Sequence, residues 1–320
     1  MTETTQRWSV GDARITSVVE AQTDGIPPAF FFPDADEAMV LRHGWLVPQF
    51  ADAEGRIGLR VQAFVIEVAG RLIVVDPCVG NGKAREQPFW NDQTWPFMGR
   101  FEAAGFDRAD VEMVVHTHLH VDHIGWDTHL LEGRWAPTFA RARHIYVGAE
   151  LDAQSALTDI DARRIRDDSI APIFEAGLAD IVEADADLGS GLRLASTPGH
   201  TAGHASLWLT SGDATALLTG DIIHHPVQCS EPALSFVSDA DAVLARATRE
   251  TTLTAAVDAG ALVLGTHCPT LPGGRLAAEG PTFLSQVREV VEQERLDDTF
   301  VDAICDPPEV FTYGGMIAHV

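Results

Sequence analysis

The feature that most constrains this sequence is a dense cluster of metal-ligating residue types shortly after an apolar run. The run Met113–Val115 predicts a buried strand, and four potential ligands follow it, within six positions of one another: His118, His120, Asp122 and His123. In an extended loop His118 and His120 point the same way, whereas Asp122 and His123 can face a second centre. Imidazole and carboxylate ligands suit zinc and also manganese, iron or cobalt. The loop therefore predicts a site able to hold two metal ions, with a histidine-rich surface loop as the alternative.

Three later apolar runs also end just before a histidine or an aspartate. The runs are Leu192–Ala195, Ala214–Leu218 and Ala261–Leu264, and the residues that follow them are His200, Asp221 and His267. Strand ends at one edge of a layered fold are where binding sites collect. We therefore expect these three side chains to join the histidine loop. His116 lies nearer the end of its own strand and is interpreted as structural.

These motifs resemble those of a known superfamily. The segment Thr117-His-Leu-His-Val-Asp-His123 is similar to the HxHxDH signature of the metallo-β-lactamase-fold superfamily. The segments ending in His200, Asp221 and His267 resemble its remaining ligand motifs in the expected order, and Asp76 resembles its early aspartate motif. The resemblance covers roughly residues 58–270 and implies an α/β (α+β) fold, the four-layer αββα sandwich.

The resemblance also implies how the ligands are shared between two divalent metal ions, with zinc expected first and manganese, iron or cobalt as alternatives. The first ion would be held by His118, His120 and His200. The second would be held by Asp122, His123 and His267. Asp221 would bridge both ions, and Asp76 would orient a ligand or its loop from outside.

Two divalent ions ~3.5–4 Å apart can generate a hydroxide and polarise a carbonyl or phosphoryl oxygen. The expected nucleophile is a hydroxide that bridges the two ions. Asp122 would orient it and later carry a proton to the leaving group, as a catalytic residue. No nucleophilic serine or cysteine is needed.

A longer pattern indicates a branch of the superfamily. The segments His123–Trp126, Gly133–Phe139 and Gly220–Gln228 resemble the branch that contains methyl parathion hydrolase and relatives of acyl-homoserine lactonases. This predicts hydrolysis of a lactone, a carboxylic ester or a phosphotriester, with a glyoxalase II-type thioester or a β-lactam as alternative substrates. His224 stands where the lactonases carry a tyrosine, so it is predicted either to donate a hydrogen bond to a developing oxyanion or to pack as a structural residue.

Aromatic residues near the motifs are candidates for a substrate pocket. Phe31, Trp90 and Trp126 could bury an apolar group of a small-molecule substrate, and ordinary core packing is the alternative for each of them. The apolar, irregular stretch Gln22–Pro48 is a candidate arm that packs on a second subunit, which predicts a homodimer.

The composition limits the partners. A formal net charge of −25 over 320 residues repels phosphate backbones, so we expect no nucleic-acid partner. No apolar run approaches the roughly 18 residues of a membrane helix and no secretory signal is visible, so no membrane partner and a cytoplasmic location are expected. The four cysteines are widely spaced and predict buried free thiols.

No linker divides the chain convincingly, so we expect a single domain over residues 1–320. The span of the resemblance implies an N-terminal extension at 1–57 and a C-terminal helical extension at 271–320. Helices are expected at Phe97–Ala104, Glu150–Leu157, Pro172–Ala179 and from Ser238 to about Val257. A further helix is expected to open at Pro281, with an apolar face of Phe283, Leu284, Val287, Val290 and Val291. Besides the four runs named above, further strands are expected at Ala13–Glu20, Leu59–Val68, Leu72–Val75, Ile181–Glu183 and Ala205–Leu209.

Overall fold

The computed structural model describes residues 5–270, 272–279, 282–285 and 310–311. Within these residues the strands are β1 Thr5–Val10, β2 Ala13–Ile26, β3 Ile57–Val68, β4 Arg71–Val75, β5 Val111–Val115, β6 Thr128–Leu131, β7 Arg134–Pro137, β8 Arg143–Val147, β9 Ala179–Val182, β10 Asp187–Gly189, β11 Leu192–Ser196, β12 Ala205–Ser211, β13 Ala214–Leu218, β14 Leu262–Leu264, β15 Gly273–Glu279, β16 Thr282–Ser285 and β17 Val310–Phe311. Each of the nine predicted strands overlaps one of them.

The α-helices of the same residues are α1 Glu37–Arg42, α2 Phe97–Ala103, α3 Val121–Ile124, α4 Gly148–Ala156, α5 Ile160–Ile165, α6 Ala171–Glu175, α7 Val227–Ser230 and α8 Ala242–Asp258. Short 3-10 turns lie at Pro28–Phe30, Gly44–Leu46, Gly125–Asp127 and Gly220–Ile222, and a π-helical turn at Arg166–Ile170 joins α5 to α6. Among the described residues we find no helix with the length and apolar character needed to cross a membrane.

Two mixed sheets form the centre of the fold. The first has the strand order β1-β2-β3-β4-β5-β8-β9, with β17 pairing with β2, and the second runs from β10 to β16 in chain order. Strands β4, β5, β8 and β9 are parallel neighbours, as are β13 and β14. Parallel neighbours end at the same edge of a sheet, which places the loops after β13 and β14 side by side at one edge of the second sheet.

Successive side chains of each strand point to opposite faces of its sheet, and this alternation explains the four layers. Ile73 and Val75 of β4 point into the core between the sheets, whereas Val74 points to the outer face, which α2 covers. In the second sheet Leu218 joins the central core and Leu217 packs on the outer face against α8. Each sheet is thus apolar on both faces, and the αββα sandwich expected from the resemblance is confirmed.

The N-terminal part of the chain packs on the rest of the chain. Strands β1 and β2, within the predicted extension, are members of the first sheet. The following segment forms a small core of its own, in which Phe32, Val40 and Phe50 pack with Val227 of α7. The stretch predicted to reach a second subunit, Gln22–Pro48, therefore buries apolar surface within its own subunit.

Two helix predictions differ from the structure at their ends. The helix expected over Pro172–Ala179 ends at Glu175, because the chain turns and Ala179 starts β9 beside β8. The helix expected from Ser238 begins at Ala242, and its cap is Asp241, whose carboxylate accepts the backbone N–H of Leu244 at 2.9 Å.

The helix predicted to open at Pro281 is wrong at its first residues. Strand β16 lies at Thr282–Ser285 and pairs antiparallel with β15. Pairing with a neighbouring strand overrides a helical pattern of apolar residues. The positions Val287, Val290 and Val291 lie outside the described residues. Cys78, Cys229 and Cys268 are buried free thiols as predicted, and Cys305 is also outside that part.

Candidate metal centre

The predicted histidine loop begins where β5 ends in the first sheet. After Val115 the chain runs through His116 to His120 and then turns into the short helix α3, which carries Asp122 and His123. The backbone N–H of Ala205, at the start of β12, donates to the carbonyl of Thr117 at 2.9 Å. This hydrogen bond joins the loop of the first sheet to the second sheet and brings the two sets of ligand motifs to one edge.

Four of the seven predicted ligands form a first group. Ligand atoms of His118, His120, His200 and Asp221 all lie within 4.8 Å of one another. Nδ1 of His120 is 3.0 Å from Nε2 of His118 and 2.9 Å from Nε2 of His200. Oδ2 of Asp221 lies 3.3 Å from Nε2 of His200 and 3.5 Å from Nε2 of His118.

The remaining three ligands form a second group beside the first. Ligand atoms of Asp122, His123 and His267 also lie within 4.8 Å of one another. Asp221 lies between the groups, since its Oδ1 is 3.2 Å from Nε2 of His267 and its Oδ2 is 3.4 Å from Nε2 of His123. All seven side chains that the sequence predicted as ligands are thus brought together.

The outer ring nitrogens show which atoms face the centre. Nδ1 of His267 is 2.7 Å from the carbonyl of Arg60, and Nδ1 of His123 is 3.1 Å from the Asp76 carboxylate. The carbonyl acceptor at Nδ1 of His267 selects the tautomer with its proton there and leaves a lone pair on Nε2. The Nε2 atoms of His267 and His123 lie only 3.3 Å apart, so this lone pair faces the second ring.

The same arrangement recurs in the first group. Nδ1 of His200 is 3.0 Å from Asp239, and Nδ1 of His118 is 3.1 Å from the hydroxyl of Thr117. The Nε2 lone pairs of both rings converge on Nδ1 of His120. Converging lone pairs and carboxylate oxygens repel unless a cation lies between them, so this donor set fits divalent metal ions.

The electrostatics of the centre agree with that fit. Burial lowers the pKa of His120 to about 3, which keeps the ring in the neutral form that binds metal. Burial would raise the pKa of Asp221, but the surrounding histidines, His123 first, hold it well below its usual range. Burial would lower the pKa of His200, but bonds to Asp221 and Asp239 outweigh it and raise the pKa to about 9, so a metal ion would displace the proton from Nε2 of this ring. The ligand cluster therefore favours a positive charge at its centre.

Asp76 lies where the early aspartate motif predicts an orienting residue. Its carboxylate accepts the backbone N–H and the hydroxyl of Thr117, each at 2.8 Å, and also contacts His123. It therefore holds the start of the ligand loop and one ring of the second group.

Two residues that the sequence analysis did not assign also hold the ligand loops. Glu150 on α4 is buried, and its carboxylate accepts the backbone N–H groups of Leu119 and Gly203 at 3.1 and 3.0 Å. His204 accepts the backbone N–H of Asp221 through Nε2 at 2.9 Å. Gly220 has φ +54° and a Cβ there would lie 2.5 Å from Nε2 of His204, so glycine is needed for this contact. No local pattern marks these residues, because their partners are far away in sequence.

The residue at the lactonase tyrosine position, His224, lies at the centre. Its Nε2 is 3.2 Å from Oδ2 of Asp221, and its ring stacks on Phe236 with centroids 3.5 Å apart and planes at 6°. Phe31 also stacks on Phe236, with ring centroids 6.0 Å apart and planes at 11°. These rings form an aromatic wall, defined here as His224, Phe236 and Phe31, beside the ligand cluster.

The other two predicted pocket residues lie elsewhere. Trp126 is a core residue, 7% exposed, which stacks on Phe97 and donates its indole N–H to Glu20 at 2.6 Å. Trp90 is half-buried and packs against the same outer core of the first sheet. Their positions favour the core-packing alternative, since helix α2 needs apolar partners on this face.

Comparisons with known proteins agree with this architecture. A family profile described as the metallo-β-lactamase superfamily matches residues 56–267, a range that contains all seven predicted ligands. A search of curated protein sequences found no match.

Solved structures share the fold at low identity. AidC, described as a dizinc quorum-quenching lactonase in complex with a product, is 19% identical, with 89% of this chain and 97% of that chain covered and a TM-score of 0.73. The hydrolase AbOPH is 20% identical, with 89% and 97% covered and a TM-score of 0.74. A probable metal-dependent hydrolase from Staphylococcus aureus is 18% identical, with 84% and 94% covered and a TM-score of 0.70. The chain belongs to the metallo-β-lactamase superfamily.

Proposed function

We propose that this chain, a metal-dependent hydrolase, binds two divalent ions and cleaves lactones, with carboxylic esters and phosphotriesters as further substrates. The observation that carries the proposal is the position of the Asp221 carboxylate, which contacts both groups of candidate ligands. Its Oδ1 lies 3.2 Å from Nε2 of His267, and its Oδ2 lies 3.3 Å from Nε2 of His200 and 3.4 Å from Nε2 of His123. Such ions, among which zinc is the first expectation, would polarise the scissile carbonyl or phosphoryl group and lower the pKa of a bound water toward neutrality.

The residues around the centre suit the other parts of such a reaction. The side chain of Asp122 is 15% exposed and lies 3.6 Å from Nε2 of His267. It is therefore accessible at the centre, where a carboxylate can orient water and move a proton to the leaving group. His224 is fully buried beside Asp221 and is suited to donate a hydrogen bond to an oxyanion.

Lactones come first because of the structural neighbours and the aromatic wall. One neighbour is described as an N-acyl homoserine lactone hydrolase with the product N-hexanoyl-L-homoserine bound at its catalytic metal centre, at 17% identity and a TM-score of 0.58. In this chain, Phe236 and Phe31 offer apolar faces next to the candidate metal ligands. Aromatic faces bury acyl or aryl groups of small ligands.

The test is a substrate panel on the full chain after reconstitution with zinc, manganese, iron or cobalt. The panel holds an acyl lactone, a nitrophenyl ester, a phosphotriester, a glutathione thioester and a β-lactam. We expect the lactone to have the highest kcat/KM and elemental analysis to give two ions per chain. A preference for the thioester or the β-lactam, or full activity after metal removal, would overturn the proposal.

The homodimer and the cytoplasmic location stay predictions. Light scattering during gel filtration measures the first, and fluorescence of a tagged chain in cells measures the second. A monomer at micromolar concentration would contradict the homodimer.

A further inference from the structure

We propose that Asp239 is a positioning residue that fixes the ring of His200, with Arg249 as its buried counter-charge. The inference rests on the proposed function, in which His200 is a metal ligand. It starts from a line of three buried side chains that leads from the middle of helix α8 to the centre.

The first contact of this line joins Asp239 to His200. Oδ1 of Asp239 lies 3.0 Å from Nδ1 of His200, and the side chains are 0% and 1% exposed. The backbone reinforces the contact, since Ala240 N–H donates to the carbonyl of His200 at 3.0 Å and Asp241 N–H donates to that of Gly199 at 2.9 Å. The segment before α8 is thus attached to the His200 loop along its length.

The second contact supplies the counter-charge. Nη2 of Arg249 lies 3.7 Å from Oδ2 of Asp239, and both side chains are fully buried. The guanidinium also donates to the carbonyl of Ile222 at 2.6 Å and to that of Pro232 at 2.8 Å. Ile222 directly follows Asp221, so Arg249 joins the His200 loop and the Asp221 loop to the same helix.

The geometry gives Asp239 two roles at the site. Its Oδ1 keeps the proton of His200 on Nδ1 and so directs the Nε2 lone pair towards His120 and Asp221. Its Oδ2 accepts the backbone N–H of Phe236 at 2.9 Å, and the Phe236 ring is the one on which His224 stacks. One carboxylate therefore sets a metal ligand and one side of the aromatic wall.

Two variants and a matched control test the inference. Asp239→Ala removes the acceptor, Asp239→Asn keeps an oxygen that can still accept from Nδ1, and Asp241→Ala removes an exposed carboxylate that only caps α8. The first measurement is zinc affinity of the full chain, by competition with a chromophoric chelator. Removing the acceptor of a liganding histidine weakens zinc binding about 10–100-fold. We expect that loss for one of the two ions in Asp239→Ala, a smaller loss in Asp239→Asn, and wild-type affinity in Asp241→Ala.

A second measurement reads the ring directly and does not need metal. In ¹⁵N-labelled protein, with the His200 signals assigned by comparison with His200→Gln, we expect a protonated Nδ1 in slow exchange with water, with or without zinc. This signal should be lost in Asp239→Ala and kept in Asp241→Ala. If Asp239→Ala fails to fold, the zinc affinity of Asp239→Asn is compared with that of wild type. The smaller loss of affinity expected above then supports the inference, and its absence overturns it.

The two failures are distinguishable. Wild-type protein that binds no metal would overturn the proposed function, and the state of the His200 ring would still test the role of Asp239. Zinc affinities within twofold of wild type in Asp239→Ala, with the His200 Nδ1 proton retained, would overturn the inference and leave the proposed function standing.

Discussion

Oδ1 of Asp221 lies 3.2 Å from Nε2 of His267, while Oδ2 of the same carboxylate is directed at His123, His200 and His118. The carboxylate of this one side chain thus contacts histidines of both candidate ligand groups. This arrangement gives the first prediction.

Asp221→Asn should lower the affinity for both ions, and His267→Ala should lower it for one. The amide lacks the charge that two cations need, whereas the loss of one imidazole leaves the first group complete. Elemental analysis after dialysis should give close to no metal for the first variant and about one ion per chain for the second. Two retained ions in Asp221→Asn would contradict the bridging role.

Glu150→Gln should destabilise the ligand loops from outside the centre. The buried carboxylate accepts N–H groups from both the His120 loop and the His200 loop, and an amide can replace only one of its oxygens as an acceptor. A buried N–H group left without its acceptor costs about 1–3 kcal/mol, so the free energy of unfolding measured by denaturation should fall by that amount. Zinc binding should also become weaker. Asp152→Asn, an exposed acid on the same helix, is the control and should change neither quantity. Equal stability and zinc affinity in the two variants would exclude a role of Glu150 in holding the two ligand loops.

Trp126→Phe should affect stability and spare substrate binding. The indole N–H is one of the donors to the buried Glu20, whose pKa is raised to about 7 by burial. Loss of this donor should lower the free energy of unfolding in urea by about 1–3 kcal/mol, while KM should stay within twofold of the wild-type value. Phe236→Leu should behave in the opposite way, with a raised KM and smaller loss of stability, because Phe236 lies beside the centre. A large KM effect in Trp126→Phe would restore the pocket role that the sequence suggested.

Asp168→Asn should destabilise the fold strongly at neutral pH. The carboxylate pairs with Lys83 and Arg85, and the two cationic side chains are 0% and 1% exposed. Removing the anion leaves two buried cations without a counter-charge, which costs about 3–5 kcal/mol. Asp180→Asn, which breaks the half-exposed pair with Arg143, should cost at most about 1 kcal/mol in the same denaturation experiment.

The pH dependence of the stability lost in Asp168→Asn follows from the direction in which the pKa of Asp168 is shifted. Burial would raise the pKa of Asp168, but the bonds and charges of Arg85 and Lys83 outweigh it and lower the pKa below the usual 3.8. A lowered folded-state pKa gives stability that is present above the unfolded-state value and is lost as the pH falls through the folded-state value. The difference between wild type and Asp168→Asn should therefore be constant near neutrality and shrink below about pH 4. A difference that grows in acid would contradict the ion pair.

The sequence by itself predicted the candidate ligand set and determined the layered fold. The spacing of His118, His120, Asp122 and His123 after a buried strand is local, and so is the apolar alternation that produces two covered sheets. Both patterns are set by the backbone period of a strand or a loop and can be read without knowing the partners.

Only the tertiary structure decided what surrounds the ligands. Glu150, His204 and Asp239 act on residues that lie 17 to 53 positions away in sequence, and no local pattern reports such contacts. The same holds for Trp126, whose place in the core depends on helix α2, and for Phe236, which stacks on His224 only because the segment before α8 turns back over the centre. Side-chain type fixed the chemistry of the centre, and packing between distant segments fixed its orientation and its walls.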